Sequence, residues 1–287
     1  MTLWTQFLGG TVEWVDADGV RTRMLRLPGP GDRGQAPPLL LLHGRGGHLE
    51  TFVHNARAWS AHREVIAVDL LGHGLTAQQG ERYDIGELLD HVAGVIAHLG
   101  VAEIDVVGQS LGGWVAARLA LRPDTPVRRL VLIEPAGLQD ESERLADPRV
   151  RSAYERGGRS FASPTIDTVR LRFAQLLHDH RKIDDEMVEL RLRLYQLPGA
   201  TAVHQAVRAA DNRPWLLTRE QLPTLRPPCL FLRGAHGHLP VEVLQQAADA
   251  VAAGRLLTVP DAKQWPHYEN PAVVNPAVDQ FLQEELS

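Results

Sequence analysis

The sequence predicts an α/β protein: a mostly parallel β-sheet covered by helices on both faces. Two observations carry that prediction. Short, continuously apolar runs recur along the chain, and longer helical patterns fall between them. A third sets the organisation, because the alternation stops between about 137 and 222 and the pattern there is helical throughout.

The elements follow in order. Thr11–Val15 and Val20–Leu27 are joined by Asp16-Ala-Asp-Gly19, a β-hairpin with Asp-Gly turn chemistry. After a Pro/Gly-rich link over 28–38, Leu39–Leu42 is apolar at every position, as a strand buried on both faces must be. Glu64–Leu70, Ile104–Val107, Leu130–Ile133, Leu230–Leu232 and Leu256–Val259 continue the series. Helical patterns cover Ile85–Leu99, Leu111–Leu121, Val241–Ala252 and Val273–Glu285. Residues 138–222, rich in Arg, Leu, Asp and Glu, read as a helical cap inserted into a core formed by 1–137 and 223–287. Open α/β sheets bind ligands in the crevice at the carboxyl ends of their strands, which such a cap would roof.

Composition narrows the function. A net charge of −5 offers no basic footprint for nucleic acid and no polybasic membrane anchor. No window reaches the length of a membrane span, and no basic segment followed by a long apolar run opens the chain. The expectation is a soluble cytoplasmic protein with a small-molecule substrate; a homo-oligomer is left open. Cys229, the single cysteine, rules out an internal disulfide and reads as a buried thiol. Thirteen histidines show no metal-ligand spacing, and no phosphate-binding glycine pattern opens the sheet, so no metal or cofactor is expected.

Residues 108–112 read Gly-Gln-Ser-Leu-Gly between an apolar run and a helical stretch. That setting makes Ser110 a nucleophile candidate on a sharp strand-to-helix turn, with the glycines easing the bend. His43-Gly44-Arg45-Gly46-Gly47-His48 follows the third strand directly. Backbone N–H groups of such a loop, from Arg45 or Gly46, would join that of Leu111 in an oxyanion hole. His43 is expected to orient the loop.

With Asp69-Leu-Leu-Gly-His-Gly74 and Leu130-Val-Leu-Ile-Glu-Pro-Ala-Gly137, these motifs resemble the α/β-hydrolase superfamily. Within it the chain is most similar to the meta-cleavage-product hydrolases, which split carbon–carbon bonds in vinylogous 1,5-diketones. The resemblance is good over 38–137, moderate over 213–285 and poor in the cap. It implies a structural His73, a cap arginine for a substrate carboxylate at Arg191 (Arg193 competes), and a site tryptophan at Trp265. Gln109 and Trp114 are further substrate-binding candidates.

Two departures stand against the resemblance. The loop where the family keeps its triad acid reads Gly234-Ala-His-Gly-His-Leu-Pro240, with Gly237 at the acid position. In Lys263-Gln-Trp-Pro-His-Tyr-Glu-Asn-Pro271, alignment on Glu269 and Pro271 puts Gln264 where the family's histidine stands. A glutamine cannot act as a base near neutral pH, and a serine hydroxyl is a poor nucleophile without one. Substitutes are His236, His238 or His267 as base, and Glu134 as an acid relocated to the preceding strand end. His178, His180 and Lys182 read as solvated surface.

The expected function is therefore that of an enzyme on a small, mostly apolar carbonyl compound, with the serine elbow and oxyanion hole kept. It is a hydrolase with a relocated base, cleaving a carbon–carbon or ester bond, or a lyase, isomerase or cyclase working by hydrogen bonding alone. A ligand-binding protein and an inactivated hydrolase are the remaining readings.

Overall fold

The computed structural model describes residues 2–31 and 36–284. An eight-stranded sheet runs in the order β1-β2-β4-β3-β5-β6-β7-β8. Its strands are β1 (Thr11–Ala17), β2 (Val20–Leu27), β3 (Leu39–Leu42), β4 (Val65–Val68), β5 (Ile104–Gln109), β6 (Val127–Ile133), β7 (Cys229–Gly234) and β8 (Gly254–Val259). β1 and β2 pair antiparallel, β2 meets β4 antiparallel, and every pairing from β4 to β8 is parallel. The hairpin turn is tighter than its sequence suggests. β1 continues to Ala17, so Asp18 and Gly19 alone make the turn, with φ of 54° and 81°. Two positive φ values match the right-handed twist of the flanking strands.

The apolar runs are buried because each serves two cores. Leu40 and Leu42 of β3 pack with Ile66 and Val68 on one face. Leu39 and Leu41 pack with Val65 and Ala67 on the other. A strand with no polar face can lie only in the middle of a covered sheet.

The helices are α1 (Ala56–Trp59), α2 (Ile85–Leu99), α3 (Leu111–Ala120), α4 (Glu141–Arg144), α5 (Pro148–Ala162), α6 (Ile166–Leu176), α7 (Asp185–Tyr195), α8 (Ala200–Ala209), α9 (Val241–Ala250), α10 (Pro266–Glu269) and α11 (Pro271–Gln283). α2 shows why its bounds match the sequence pattern. The Asp84 side chain accepts from Glu87 N–H at its start, and Gly100 ends it at φ 62°. α4 to α8 lie between β6 and β7 in the chain, where the alternation fails. Glu269 ties this helical segment to the core: one carboxylate oxygen accepts from His178 and Asp179 N–H, the other from Lys263 N–H. Cys229 is buried, with its thiol donating to Pro227 O. No helix among the described residues is long and apolar enough to cross a membrane.

Candidate active site

Ser110 sits between β5 and α3 at φ 51° and ψ −109°, a strained conformation for a residue with a Cβ. Its N–H donates to Ile133 O, and its carbonyl accepts from Trp114 and Ala136 N–H, so the backbone cannot relax. The glycines around it do a different job from the expected one. Neither supplies the positive φ, which Ser110 itself carries; both permit close backbone approach. A Cβ on Gly108 would strike Gly112 O, and one on Gly112 would strike Leu42 O.

Gly44 O accepts both Gly47 N–H and the His43 Nδ1–H, folding the loop after β3 back on itself. Leu70 N–H donates to His43 Nε2, which makes His43 the structural prop the sequence suggests. His73 likewise bonds Leu71 O through Nδ1. Gly44, Arg45 and Leu111 line one cleft with Ser110. Gly46 faces away from it, against Phe161 and Tyr195, with its carbonyl accepting from the Tyr195 hydroxyl. Of the two loop residues offered as donors, Arg45 is the one that lines the Ser110 cleft.

Gln109, Gln264, Trp265, Arg191 and His238 also line the Ser110 cleft. Gln109 Nε2 lies 3.4 Å from Gln264 O, and the buried Gln264 Oε1 has no partner. Arg191 is buried, with its guanidinium over Phe173 (4.6 Å) and Trp265 (4.8 Å). Arg193 is exposed and paired with Glu189, which removes it from the competition. Behind Arg191 stands a relay the sequence did not disclose. Arg191 Nε points at His48 Nε2 (3.4 Å), His48 Nδ1 bonds Glu50 (2.8 Å), and Glu50 takes two bonds from Arg23. Burial and Arg191 push the His48 imidazole down to about 4, so it is the neutral acceptor the relay needs.

Three proposed site residues lie elsewhere. His267 is fully buried against Phe52 and Trp265, with neither ring nitrogen hydrogen-bonded. The helical turn of α10 directs it into the core. His236 is exposed and stacks on His178 at 3.8 Å. Trp114 packs under Gly137 with its indole N–H on Trp215 O, so it lines a neighbouring cleft. The surface reading of the charged segment holds for His178, His180 and Lys182, which are all exposed; Lys182 also donates to Glu269 O. The histidines do gather in one place. His178, His236 and Asp261, from three separate loops, bring their ligand atoms within 4.8 Å of one another at the surface.

Glu134, at φ 44° after β6, reaches under the loop that lacks the acid. One oxygen accepts from Gly234 N–H (2.9 Å), and a Cβ on Gly237 would collide with the same oxygen. The carboxyl thus fills the space that a side chain at 237 would need. Burial raises its pKa to about 7, against the Gly234 and Leu239 N–H groups and the Arg233 charge that pull it down.

Among the described residues no imidazole hydrogen-bonds Ser110. Two histidines nonetheless line its cleft. His238 is held down to about 3 by burial and the nearby Lys263 and arginines. His204, which the sequence reading missed, stacks on Phe161 at 3.3 Å with both ring nitrogens unpartnered. It sits on α8 among Val203 and Val207, where helical spacing alone reads as core.

Residues 37–271 match the alpha/beta hydrolase fold family. The chain belongs to that family. A 2-hydroxymuconate semialdehyde hydrolase of Pseudomonas sp. (strain CF600) is 26% identical over 93% of this chain and 92% of its own length. The acetyltransferase component of an acetoin cleaving system of Pseudomonas putida is 31% identical over 71% of this chain, which spans only 50% of that protein. Among solved structures, a meta-cleavage product hydrolase from Pseudomonas fluorescens IP01 superposes with a TM-score of 0.79 at 23% identity, over 95% of this chain and 97% of that one. This α/β hydrolase is thus related to enzymes that cleave carbon–carbon bonds.

Proposed function

We propose that this enzyme binds a small carbonyl compound and stabilises negative charge on its oxygen, without an activated serine. Arg45 and Leu111 N–H groups hold the oxygen, and the Ser110 hydroxyl and Gln264 amide supply further hydrogen bonds. The bond from the carbon next to the carbonyl to a hydroxyl-bearing carbon then breaks: its electron pair enters an enolate whose oxygen those N–H groups hold, the departing carbon becomes a carbonyl, and its hydroxyl proton passes to the enolate carbon; the reverse forms the bond. That describes a lyase, isomerase or cyclase. The observation that carries it is Gln264: the position facing Ser110 in the cleft holds an amide with an unpartnered oxygen, not a base. Glu134 fits as a neutral buried acid that shapes the loop over 234–240. Residues 138–222 act as the cap that roofs the cleft.

His238 and His204 support a second reading, a hydrolase with a relocated base, because both line the Ser110 cleft. A fluorophosphonate separates the two. Intact mass after incubation should show no adduct under conditions that label an ordinary serine hydrolase stoichiometrically. An adduct on the native chain but not on Ser110→Ala overturns the non-covalent reading, and loss of that adduct in His238→Gln or His204→Gln names the base.

A further inference from the structure

The Ser110 cleft is lined by five arginines and a single carboxylate, Glu141. Arg45 is paired with Glu141 at 2.8 Å. Arg144, Arg172, Arg191 and Arg208 have no carboxylate within ion-pair distance among the described residues; Arg151, Arg156 and Arg159 of the same segment have none either, but they are exposed and water solvates them. Arg149, Arg170 and Arg193 reach Asp147, Asp185 and Glu189. Holding the buried Arg191 and the half-buried Arg144, Arg172 and Arg208 without a partner is costly unless a ligand supplies the counter-charge.

The arginines follow one another along the wall. Arg191, on α7, stands over Phe173 and Trp265, and Arg172, on α6, is close enough to feel the charges of Arg191, Arg45 and Arg208. Arg144 and Arg208 stand with Arg45 and Tyr154, where the Arg208 guanidinium stacks on the Tyr154 ring at 3.5 Å. Stacking leaves the guanidinium edge free for a planar anion, a geometry that favours bidentate recognition. With Glu141 as the cleft's one carboxylate, a single anionic group on a ligand leaves most of this charge unbalanced.

We infer that the substrate is a small organic dianion, with one anionic group on Arg191 and Arg172 and a second on Arg144 and Arg208. This rests on the small-molecule site of the proposed function but not on its chemistry. The ligand's carbonyl lies between its two charged ends, over Ser110. The mostly apolar compound expected from the sequence gives way to one whose ends are charged. The second anion is a carboxylate or a phosphate, since the same guanidinium fork takes both.

Calorimetric titration of the full chain tests this with matched pairs: butyrate and succinate, hexanoate and adipate, octanoate and suberate, plus pimelate and 6-phosphonohexanoate. At one chain length the diacid should bind at least about tenfold more tightly than its monoacid. Arg144→Gln or Arg208→Gln should bring the diacid down to the monoacid's affinity, leaving the monoacid unchanged, whereas Arg191→Gln should weaken both. Tighter binding of 6-phosphonohexanoate than of pimelate, which has the same five methylenes between its charged ends, assigns the second anion as phosphate, and the reverse assigns carboxylate. Equal affinity for monoacid and diacid at every length, or no binding of either, overturns the inference. The native-chain comparison stands even where a variant fails to fold. A diacid preference that survives in Ser110→Ala keeps this inference independent of the chemistry at the serine. Turnover of a monoanionic carbonyl compound without a diacid preference would sink it alone.

Discussion

The two walls of the Ser110 cleft are built on different terms. On the β3–β5 side the site is made of backbone: the strained serine, the loop over 43–47 and the close approach of Gly108, Gly112 and Leu42. The β7–β8 side is made of side chains, and there the proposed reading puts Gly237 and Gln264 at the acid and base positions. The difference teaches that the backbone side cannot change without disturbing the sheet edge, whereas the side-chain side, on the proposed reading, loses its chemistry and keeps its shape. Glu134 is what would allow that: its carboxyl fills the space beside Gly237 and accepts from Gly234 N–H.

The largest effect should come from breaking the backbone side. Gly112→Ala places a methyl against Leu42 O and His43 O, where only β3 can move. A loss of about 3 kcal/mol or more is expected from urea unfolding. A loss within 1 kcal/mol would mean that the elbow and β3 are not held as tightly as the contacts imply.

Next in size is the buried carboxyl of Glu134. Glu134 rises from an ordinary 4.5 to about 7 through burial, so the folded protein holds a proton that the unfolded chain has released. Its contribution is fully present below about pH 4.5 and is lost as pH rises through 7. Glu134→Gln keeps the acceptor for Gly234 N–H and removes the titration. Stability of the variant minus that of the native chain should climb between pH 4.5 and 7, by about 3 kcal/mol at most. A flat difference across that range would show that Glu134 is ionised in the fold. The depressed histidines, His43, His48, His73 and His267, act with the opposite slope, protecting the fold above about pH 6.5 and costing stability as pH falls below it. They are common to both proteins and cancel in the difference.

Smaller again is the strain at Ser110. Ser110→Gly removes the Cβ from a positive-φ position and should raise stability by about 1 kcal/mol, while removing the hydroxyl from the site. A stability decrease would place the hydroxyl, not the backbone, as the anchor of the elbow.

The sequence disclosed the backbone side well and the side-chain side unevenly. Leu39–Leu42 and Ile104–Val107 could be nothing but doubly covered strands, and Gly-x-Ser-x-Gly between a strand and a helix fixes its own turn. The hairpin boundary slipped because Val15 to Ala17 continue the pairing that Asp16 seemed to end. In the cap, solvated-looking arginines hid a cleft. One local signal separates two of them: Arg172 and Arg191 have no acidic residue three or four positions away, while Arg170 and Arg193 have Asp167 and Glu189. Helix neighbours at that spacing satisfy surface charges, so an arginine without one points elsewhere. His267 was misplaced because sequence distance from Gln264 says nothing about which side of α10 faces the serine.

The least disruptive change sharpens the comparison most. Gln264→His alters a residue already in the cleft, close in volume to the original, and should shift stability by no more than about 0.5 kcal/mol. If the β7–β8 side lost only its chemistry, the imidazole will lie where Gln264 faces Ser110, with Glu134 beneath the loop to orient it. Fluorophosphonate labelling should then appear in this variant and fail again in Gln264→His with Glu134→Gln, because the amide cannot stabilise an imidazolium. Labelling that survives the loss of Glu134 would show that the acid was replaced in space but not in function. No labelling in Gln264→His at all would mean that the loop over 263–267, held by Glu269 through Lys263 N–H, has moved too far for a base there to reach the serine.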